Sequence, residues 1–237
     1  MEYKHGERLA PLMHEMTPLE AAIERFSQQA QAYYSNNKDL TTPEARKAKQ
    51  EALQHLETER RLAEVIVDVQ TDLEKYRASG REAVRGTRSE VNEKQIGLGL
   101  ERHHPAYILA KYMRADGRPQ PSSKHTAHHI IPGKGKTKLA SRARLHIHRN
   151  GLRINDPDNG AWLVRKKSDT PHWSMPNSLG HLEYHTHNYE VWIYESIRFG
   201  RDEQSVRAKL SLIGRMLQEG NQPKHVTLPP DENWNGR

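Results

Sequence analysis

Two adjacent histidines stand ahead of a short β-branched run in the segment Thr126-Ala127-His128-His129-Ile130-Ile131-Pro132. Such a run, closed by a proline, is typical of a short buried strand. Neighbouring side chains of a strand point to opposite faces, so one imidazole can face a metal while the other faces a substrate. The segment therefore predicts a strand that carries a metal ligand and a general base at adjacent positions.

The chain is polar, since only 34% of its 237 residues are hydrophobic, and it contains no cysteine. This composition predicts one modest core with much solvated helix, and it excludes disulfides and cysteine-ligated zinc. No apolar run approaches the ~20 residues of a membrane span, and the N-terminus lacks the pattern of a signal peptide. We expect a protein made in the cytoplasm with no membrane partner; a secretion route, if one exists, is not visible in the sequence.

The net charge of +7 is concentrated in the second half of the chain. Residues 1–120 carry 19 basic and 19 acidic side chains, whereas residues 121–237 carry 18 and 11. Between Lys124 and Arg153 there are eight basic residues and no acidic one. A basic stretch that overlaps the histidine pair indicates contact with a polyanion such as nucleic acid. The backbone-contacting side chains are expected to be Lys124, Lys134, Lys136, Lys138, Arg142 and Arg144.

The first 116 residues predict helices. Thr17-Pro18-Leu19-Glu20 is a capping box with proline at the first helical position. Apolar residues at helical spacing after Thr42 predict one long amphipathic helix that ends near Gly80, and two shorter helices follow within 81–116. The turn-rich segment from Asp116 to Ser123 predicts a domain boundary. The expected organisation is a helical region over 1–116, a second domain over 122–200, and a C-terminal helix with a loosely ordered tail over 201–237.

Turn residues divide the second half of the chain. The segment from Gly133 to Thr137 lacks the spacing of a P-loop, so we interpret it as a flexible basic loop. Asp158-Asn159-Gly160 predicts a turn before the apolar run Ala161–Val164. Pro176-Asn177-Ser178 is expected to open a helix that Gly200 closes, and a last helix is expected from Glu203 to Gln218.

Nine of the fifteen histidines lie between His125 and His187. On a helix, His181 and His185 would lie one turn apart on one face, as two ligands of a single ion do. With His128 they make three nitrogen ligands, which leaves positions for water and a phosphate oxygen, as in a catalytic site. His129 could then take a proton from water, and Asn159 is a candidate to hold its ring.

Several other residues have two readings at this stage. His187 either buttresses the ligands or faces a phosphate, and His125 and His172 either line the site or are exposed. Tyr189 continues the face of His181 and His185, where it either supports them or packs in the core. His146 and His148 alternate in a possible strand and are expected to face solvent, and His103-His104 is expected to lie on the surface.

Three segments occur in an order that resembles the AHH family of nucleases, in the HNH/endonuclease VII superfamily. They are Ala127-His128-His129 before Ile-Ile-Pro, the stretch from Gly151 to Gly160, and His181-x3-His185-x3-Tyr189. The resemblance covers about residues 122–200. It implies an α+β, mostly helical fold, in which an N-terminal helical arm precedes a ββα-metal, HNH-like nuclease domain with flanking helices.

The resemblance also implies roles. His128, His181 and His185 would hold one divalent metal ion, with Mg²⁺, Mn²⁺, Zn²⁺ and Ni²⁺ all open. His129 would activate water, and Asn159 would orient this base or support its loop. The family often has Leu-Pro where this chain has Leu163-Val164, which puts the turn after the second strand in doubt but no ligand.

Members of the family often form the toxin domain of bacterial effectors. The resemblance thus implies a DNA endonuclease of little sequence specificity, delivered into a target-cell cytoplasm and neutralised by an acidic cognate immunity protein. The N-terminal helices would bind a secretion-system carrier or chaperone, or would oligomerise. Three alternatives remain: an RNase or mobile-element nickase, a structural zinc module that binds nucleic acid without cleaving it, and a coiled-coil adaptor.

Overall fold

The computed structural model describes residues 3–4, 7–8, 16–35, 42–103 and 106–236. The first part of the described chain is a short hairpin of β1 (Tyr3–Lys4) and β2 (Glu7–Arg8), followed by helices. These helices are α1 (Pro18–Ser35), α2 (Pro43–Glu64), α3 (Ile66–Glu82), α4 (Arg88–Gly99) and α5 (Tyr107–Ala115). The capping box at Thr17 and the two short helices within 81–116 are confirmed.

The long helix predicted up to Gly80 is wrong, because it is divided at Val65. This residue adopts φ −98° and ψ 6°, outside the helical region, and it caps α3 without a side-chain hydrogen bond. Val65 is β-branched. Such a side chain loses rotamer freedom against the preceding helical turn, which disfavours an uninterrupted helix at this residue.

A two-stranded antiparallel sheet lies at the centre of the second half. Strand β3 (His125–His129) pairs with β4 (Gly160–Val164), so that His129 lies opposite Gly160 and His128 opposite Ala161. The predicted apolar run Ala161–Val164 is therefore the second strand, and all five residues of β4 are buried. The overall class, α+β and mostly helical, is confirmed.

The two faces of this sheet pack against different helices. On one face, Ala127 and Trp162 form a cluster with Leu109 and Met113 of α5. The other face belongs to the main core, to which helices α6 (Lys138–Arg149), α7 (His187–Ile197) and α8 (Glu203–Glu219) contribute. Each fully buried aliphatic side chain of this core stabilises the fold by about 1.5–3 kcal/mol. Because both faces are covered, the register of β3 decides which imidazole meets which layer.

Two predictions for α6 and the loop before it are wrong. His146 and His148 lie on this helix rather than on a strand, and His148 is buried instead of facing solvent. The basic loop before the helix was expected to be flexible, but hydrogen bonds to α7 hold its backbone in place. The buried carboxylate of Glu190 accepts hydrogen bonds from the backbone nitrogens of Lys136 and Thr137, each at 2.7 Å. These amides point towards an anion as a phosphate-binding loop would, but a side chain of α7 satisfies them.

The helix predicted from Pro176 to Gly200 is wrong over its first half. A 3-10 helix spans His181–Tyr184, His185 follows it with φ −80° and ψ 57°, and α7 starts only at His187. Thr186 explains this start, because its hydroxyl accepts a hydrogen bond from the Tyr189 backbone nitrogen at 3.0 Å and caps α7. Thr186 is thus the sequence signal for the start of α7, and it lies between His185 and His187.

The C-terminal helix predicted from Glu203 to Gln218 is confirmed as α8, but the tail is packed rather than loosely ordered. Val226 is fully buried, and Trp234 packs against the main core. The side-chain amide of the buried Asn188 donates hydrogen bonds to the carbonyl oxygens of His225, Leu228 and Pro229. One side chain of α7 therefore ties down three points of the tail.

Helix α3 packs closely on the second half of the chain. A Cβ atom on Gly80 would lie 2.4 Å from the carbonyl oxygen of Gly151, so glycine permits this approach. The buried carboxylate of Asp156 meets two guanidinium groups, one from α3 and one from α8. Its oxygens lie 3.6 Å from Arg77 Nε and 2.7 Å from Arg207 Nη1. No helix among the described residues is long and apolar enough to cross a membrane.

The buried His148 is expected to make the protein sensitive to acid. Burial, followed by the charges of Arg144 and Arg153, lowers the pKa of His148 from 6.5 to about 4. Between these values the unfolded chain binds a proton that the folded protein excludes, so the free energy of unfolding falls as the pH falls through this window. The expected slope is about 1 kcal/mol for each pH unit.

The measurement is urea unfolding of the wild type and His148→Gln at several pH values between 6.5 and about 4. The variant should lose its stability less steeply with acidification. His125, whose pKa of about 3 also lies below 6.5, contributes the same slope to both proteins and cancels in the comparison. Parallel slopes in the two proteins would contradict the assignment.

Candidate metal centre and active site

Three imidazoles converge beside the central sheet. One ligand atom from each of His128, His181 and His185 lies within 4.8 Å of the other two. The ring centroids are 4.6 Å apart for His128 and His181, and 5.0 Å apart for His181 and His185. His128 is buried, His181 is half-buried and His185 is exposed. The cluster is therefore buried at His128 and open to solvent at His185. A substrate can reach an ion only in a site that is open in this way.

The segment that brings His181 and His185 to His128 is held from below by Tyr184. This side chain is fully buried, and its hydroxyl lies 3.3 Å from the carbonyl oxygen of Leu217 on α8. Burial raises the pKa of Tyr184 to about 12, so the phenol stays protonated and can donate this hydrogen bond. The two histidines thus meet around a 3-10 turn anchored on α8, and not on one helical face as the spacing predicted.

Tyr189 settles which nitrogen of His128 can bind a metal. The Tyr189 hydroxyl donates to the carbonyl oxygen of Ile130 at 2.8 Å, because a carbonyl can only accept. Its oxygen is 2.8 Å from His128 Nε2 and must accept from it, so Nε2 carries the proton. The lone pair is then on Nδ1, a buried atom with no hydrogen-bond partner in the described part of the chain. An orphaned buried lone pair beside two other imidazoles fits a metal ion, and the tyrosine fixes the ring as such outer partners do.

Electrostatics favours the ligand form of His128. Burial, followed by the neighbouring imidazoles of His181, His185 and His129, holds the pKa of His128 well below its usual value. The neutral imidazole is the form that coordinates metals.

His129 faces the other side of the strand. Its Nε2 lies 3.0 Å from the side-chain oxygen of Asn155, and both side chains are buried. The ring of His103 meets that of His129 edge to face, with centroids 6.2 Å apart. Both neighbours differ from the prediction, since Asn155 had no assigned role and His103 was expected on the surface; His104 lies outside the described residues.

Asn159 does not take the place predicted beside the base. Its side-chain oxygen accepts from the backbone nitrogen of Ile131 at 2.8 Å, and its nitrogen donates to the carbonyl oxygen of Ile154 at 2.9 Å. It is fully buried, and its bonds join the chain that leaves β3 to the loop that enters β4. Of the two roles implied by the resemblance, this geometry matches support of the loop, while Asn155 contacts the ring.

The other predicted histidines lie apart from the metal cluster. His125 and His172 stack edge to face at 4.7 Å, and Ser122 and Ser174 bridge them by hydrogen bonds. Burial, followed by His172 and His55, lowers the pKa of His125 to about 3, so this pair is neutral. His187 lines a cavity of about 450 Å³ between α7 and the tail.

One basic side chain contacts the histidine cluster, and three more are exposed nearby in the sequence. Lys136 reaches it directly, because its Nζ donates to the carbonyl oxygen of His185 at 2.7 Å. Lys134, Lys138 and Arg142 are exposed around the start of α6. Two other predicted contacts are already engaged: Arg144 donates to the Gly133 carbonyl oxygen, and Lys124 pairs with Asp169 at 3.1 Å.

The strand pair of β3 and β4 and the start of α7 bring together three histidines that could hold one metal ion. The chain matches the model of the AHH family over residues 109–217, and the family is described as a nuclease family of the HNH/ENDO VII superfamily with conserved AHH. Residues 109–217 thus match the AHH family, whose name corresponds to Ala127-His128-His129 in this sequence. The match supports a nuclease function and a nucleic-acid substrate. No curated protein and no solved structure matches the chain.

The histidine cluster is expected to bind one divalent ion per chain. In calorimetric titrations with Zn²⁺ and Mn²⁺, His181→Ala and His185→Ala should each weaken binding at least about tenfold, because even outer partners of metal ligands contribute that much. His187→Ala is the matched control, since it removes a nearby imidazole that faces another cavity. An equal loss in all three variants, or no binding by the wild type, would refute the assignment.

Proposed function

We propose that this protein is a metal-dependent endonuclease that hydrolyses DNA phosphodiester bonds with little sequence specificity. The observation that carries the proposal is that the two adjacent histidines of β3 lie on opposite faces of the strand and have different partners. His128 converges with His181 and His185 on one face, while His129 is held by Asn155 on the other. A metal-dependent hydrolase needs both a metal ligand and a general base close to the scissile bond. The adjacent residues His128 and His129 would supply one each.

His128, His181 and His185 are the residues that would hold the ion, and a bound divalent cation would stabilise negative charge on the scissile phosphate. His129 acts as the general base and accepts a proton from the attacking water. Asn155 keeps the His129 ring in one orientation, so that no rearrangement is needed when the proton moves. Asn159 keeps the strand exit in place beneath it. Zn²⁺ and Ni²⁺ suit the imidazole ligands, and Mg²⁺ and Mn²⁺ remain open.

The basic surface supports a nucleic-acid substrate bound through its backbone. Lys136 Nζ donates to the carbonyl oxygen of His185, and Lys134, Lys138 and Arg142 are exposed in the segment around Lys136. Contacts to phosphates position a nucleic acid without reading its bases, so we expect little sequence preference. They also do not report on the sugar, so RNA is the second substrate to test.

The biological role that fits this activity is that of an antibacterial effector. The basic site surface would attract an acidic immunity protein, and such charge complementarity accelerates association. The helices of residues 1–116 would then serve a secretion-system carrier or a chaperone. This role rests on the family resemblance and on the charge of the site, and the enzymatic proposal does not depend on it.

The proposal is tested by cleavage of supercoiled plasmid with purified protein and Mg²⁺, Mn²⁺, Zn²⁺ or Ni²⁺, with and without EDTA. His129→Ala should lose at least about 100-fold in rate, as is common when a general base is removed, while its metal affinity is kept. His172→Ala is the control, because its ring belongs to the separate pair with His125.

Cleavage of RNA but not DNA would replace the substrate and keep the mechanism. Intact plasmid and intact RNA with folded, metal-loaded protein would refute the nuclease proposal and favour a structural zinc module. Full activity of His129→Ala would refute the role of the base.

A further inference from the structure

The side-chain amide of Asn155 is oriented by residues that precede residue 109, where the match to the AHH family begins. Its Nδ2 donates to Glu101 Oε1 at 2.8 Å and to the carbonyl oxygen of Arg102 at 2.9 Å. A carboxylate and a carbonyl oxygen only accept hydrogen bonds, so both amide protons point towards them. Rotation of the amide by half a turn would set its oxygen against these two acceptors, and the orientation is therefore fixed by the network.

This orientation determines the proton position on His129. The Asn155 oxygen lies 3.0 Å from His129 Nε2 and can only accept, so Nε2 carries the proton in the neutral ring. Nδ1 is then the nitrogen that takes a proton from water. The tautomer of the proposed base thus depends on the carboxylate of Glu101, one hydrogen bond further out.

Two further groups bind the carboxylate of Glu101. The Tyr76 hydroxyl donates to Oε1, and Arg153 Nε lies 2.9 Å from Oε2. The Tyr76 oxygen also accepts from the backbone nitrogen of Asn155 at 2.9 Å, so the backbone and the side chain of Asn155 are fixed by the same group of residues. The Arg153 guanidinium lies 4.1 Å above the Tyr76 ring, which closes the network. Only 11% of the Glu101 side chain is exposed.

We propose that Glu101, supported by Tyr76, is a positioning residue of the active site, which fixes the Nε2-protonated tautomer of His129 through Asn155. This inference rests on the proposed function. Tyr76 lies on α3 and Glu101 follows α4, both ahead of residue 109, where the AHH segment begins. The helical region then completes the active site in addition to any role in delivery or partner binding.

If Glu101 only held the helical region against the second half of the chain, its loss would not affect the proton position on His129. Arg81 and Glu203 form a more exposed pair at 2.9 Å between α3 and α8. Glu203 also accepts a hydrogen bond from Arg207, and within the described residues neither member of the pair bonds to Asn155 or Glu101. Glu203→Ala therefore removes a contact between the helical region and the second half of the chain without touching the proposed relay. It serves as the matched control for Glu101→Ala.

The first readout is ¹⁵N NMR of His129 in the full-length, metal-free protein, at a pH where the imidazole is neutral. The wild type and Glu203→Ala should show a protonated Nε2 and an unprotonated Nδ1. Glu101→Ala should show a mixture of tautomers, because the Asn155 amide is then free to rotate. Glu101→Gln keeps an oxygen for Tyr76 and Asn155 and should lie nearer the wild type than Glu101→Ala does.

The second readout is plasmid cleavage. Glu101→Ala should lower kcat about 10- to 100-fold with KM changed by less than about twofold, as the loss of an outer partner of an active-site group does. Glu101→Gln should recover part of this loss, and Glu203→Ala should cleave like the wild type.

Three results would overturn the proposal: a His129 ring protonated at Nδ1 in the wild type, an unchanged tautomer and kcat in folded Glu101→Ala, or equal defects in Glu101→Ala and Glu203→Ala. If the wild type cleaves no nucleic acid, the proposed function fails, and the tautomer measurement still decides whether Glu101 positions His129.

Discussion

The antiparallel pairing of β3 with β4 is the constraint on which the site depends. It sets His128 opposite Ala161 and His129 opposite Gly160, and alternation along the strand then sends the two imidazoles into different layers. A shift by one residue would exchange them, placing His129 beside His181 and His185. Asn159 opposes such a shift, because its amide bonds the backbone of Ile131, just after β3, to that of Ile154 in the loop ahead of β4. This buried asparagine thus helps to hold the register that separates His128 from His129.

The separation of the imidazoles could be predicted from the sequence. The β-branched run indicates a strand, and adjacent side chains of a strand point to opposite faces. The convergence of His128, His181 and His185 was also predicted, although by the wrong route. Spacing of four residues brings two side chains together on an α-helix, but a 3-10 turn followed by a capped helix start achieves the same here. The ligand set followed from residue type and order, while the backbone that presents it depends on Tyr184 and Thr186.

The parts that could not be predicted depend on contacts between distant segments. Asn155 and Asn159 are equivalent as sequence signals near a turn, and only the position of Glu101 and Tyr76 decides which amide meets His129. His148 and Glu190 are polar residues that the fold buries, and their neighbours in the sequence do not indicate this burial. The tail looked disordered by composition, yet Asn188 on α7 holds it in place. Local patterns do not contain these long-range partners.

The most direct test of the account is anomalous diffraction from crystals of the protein grown with Mn²⁺ or Zn²⁺. The account predicts one strong peak bonded to His128 Nδ1, His181 and His185, with His128 Nε2 still on the Tyr189 hydroxyl and His129 still on Asn155. A peak bonded to His129, or one bonded to His128 Nε2 with Tyr189 displaced, would contradict the division of roles between the two adjacent histidines.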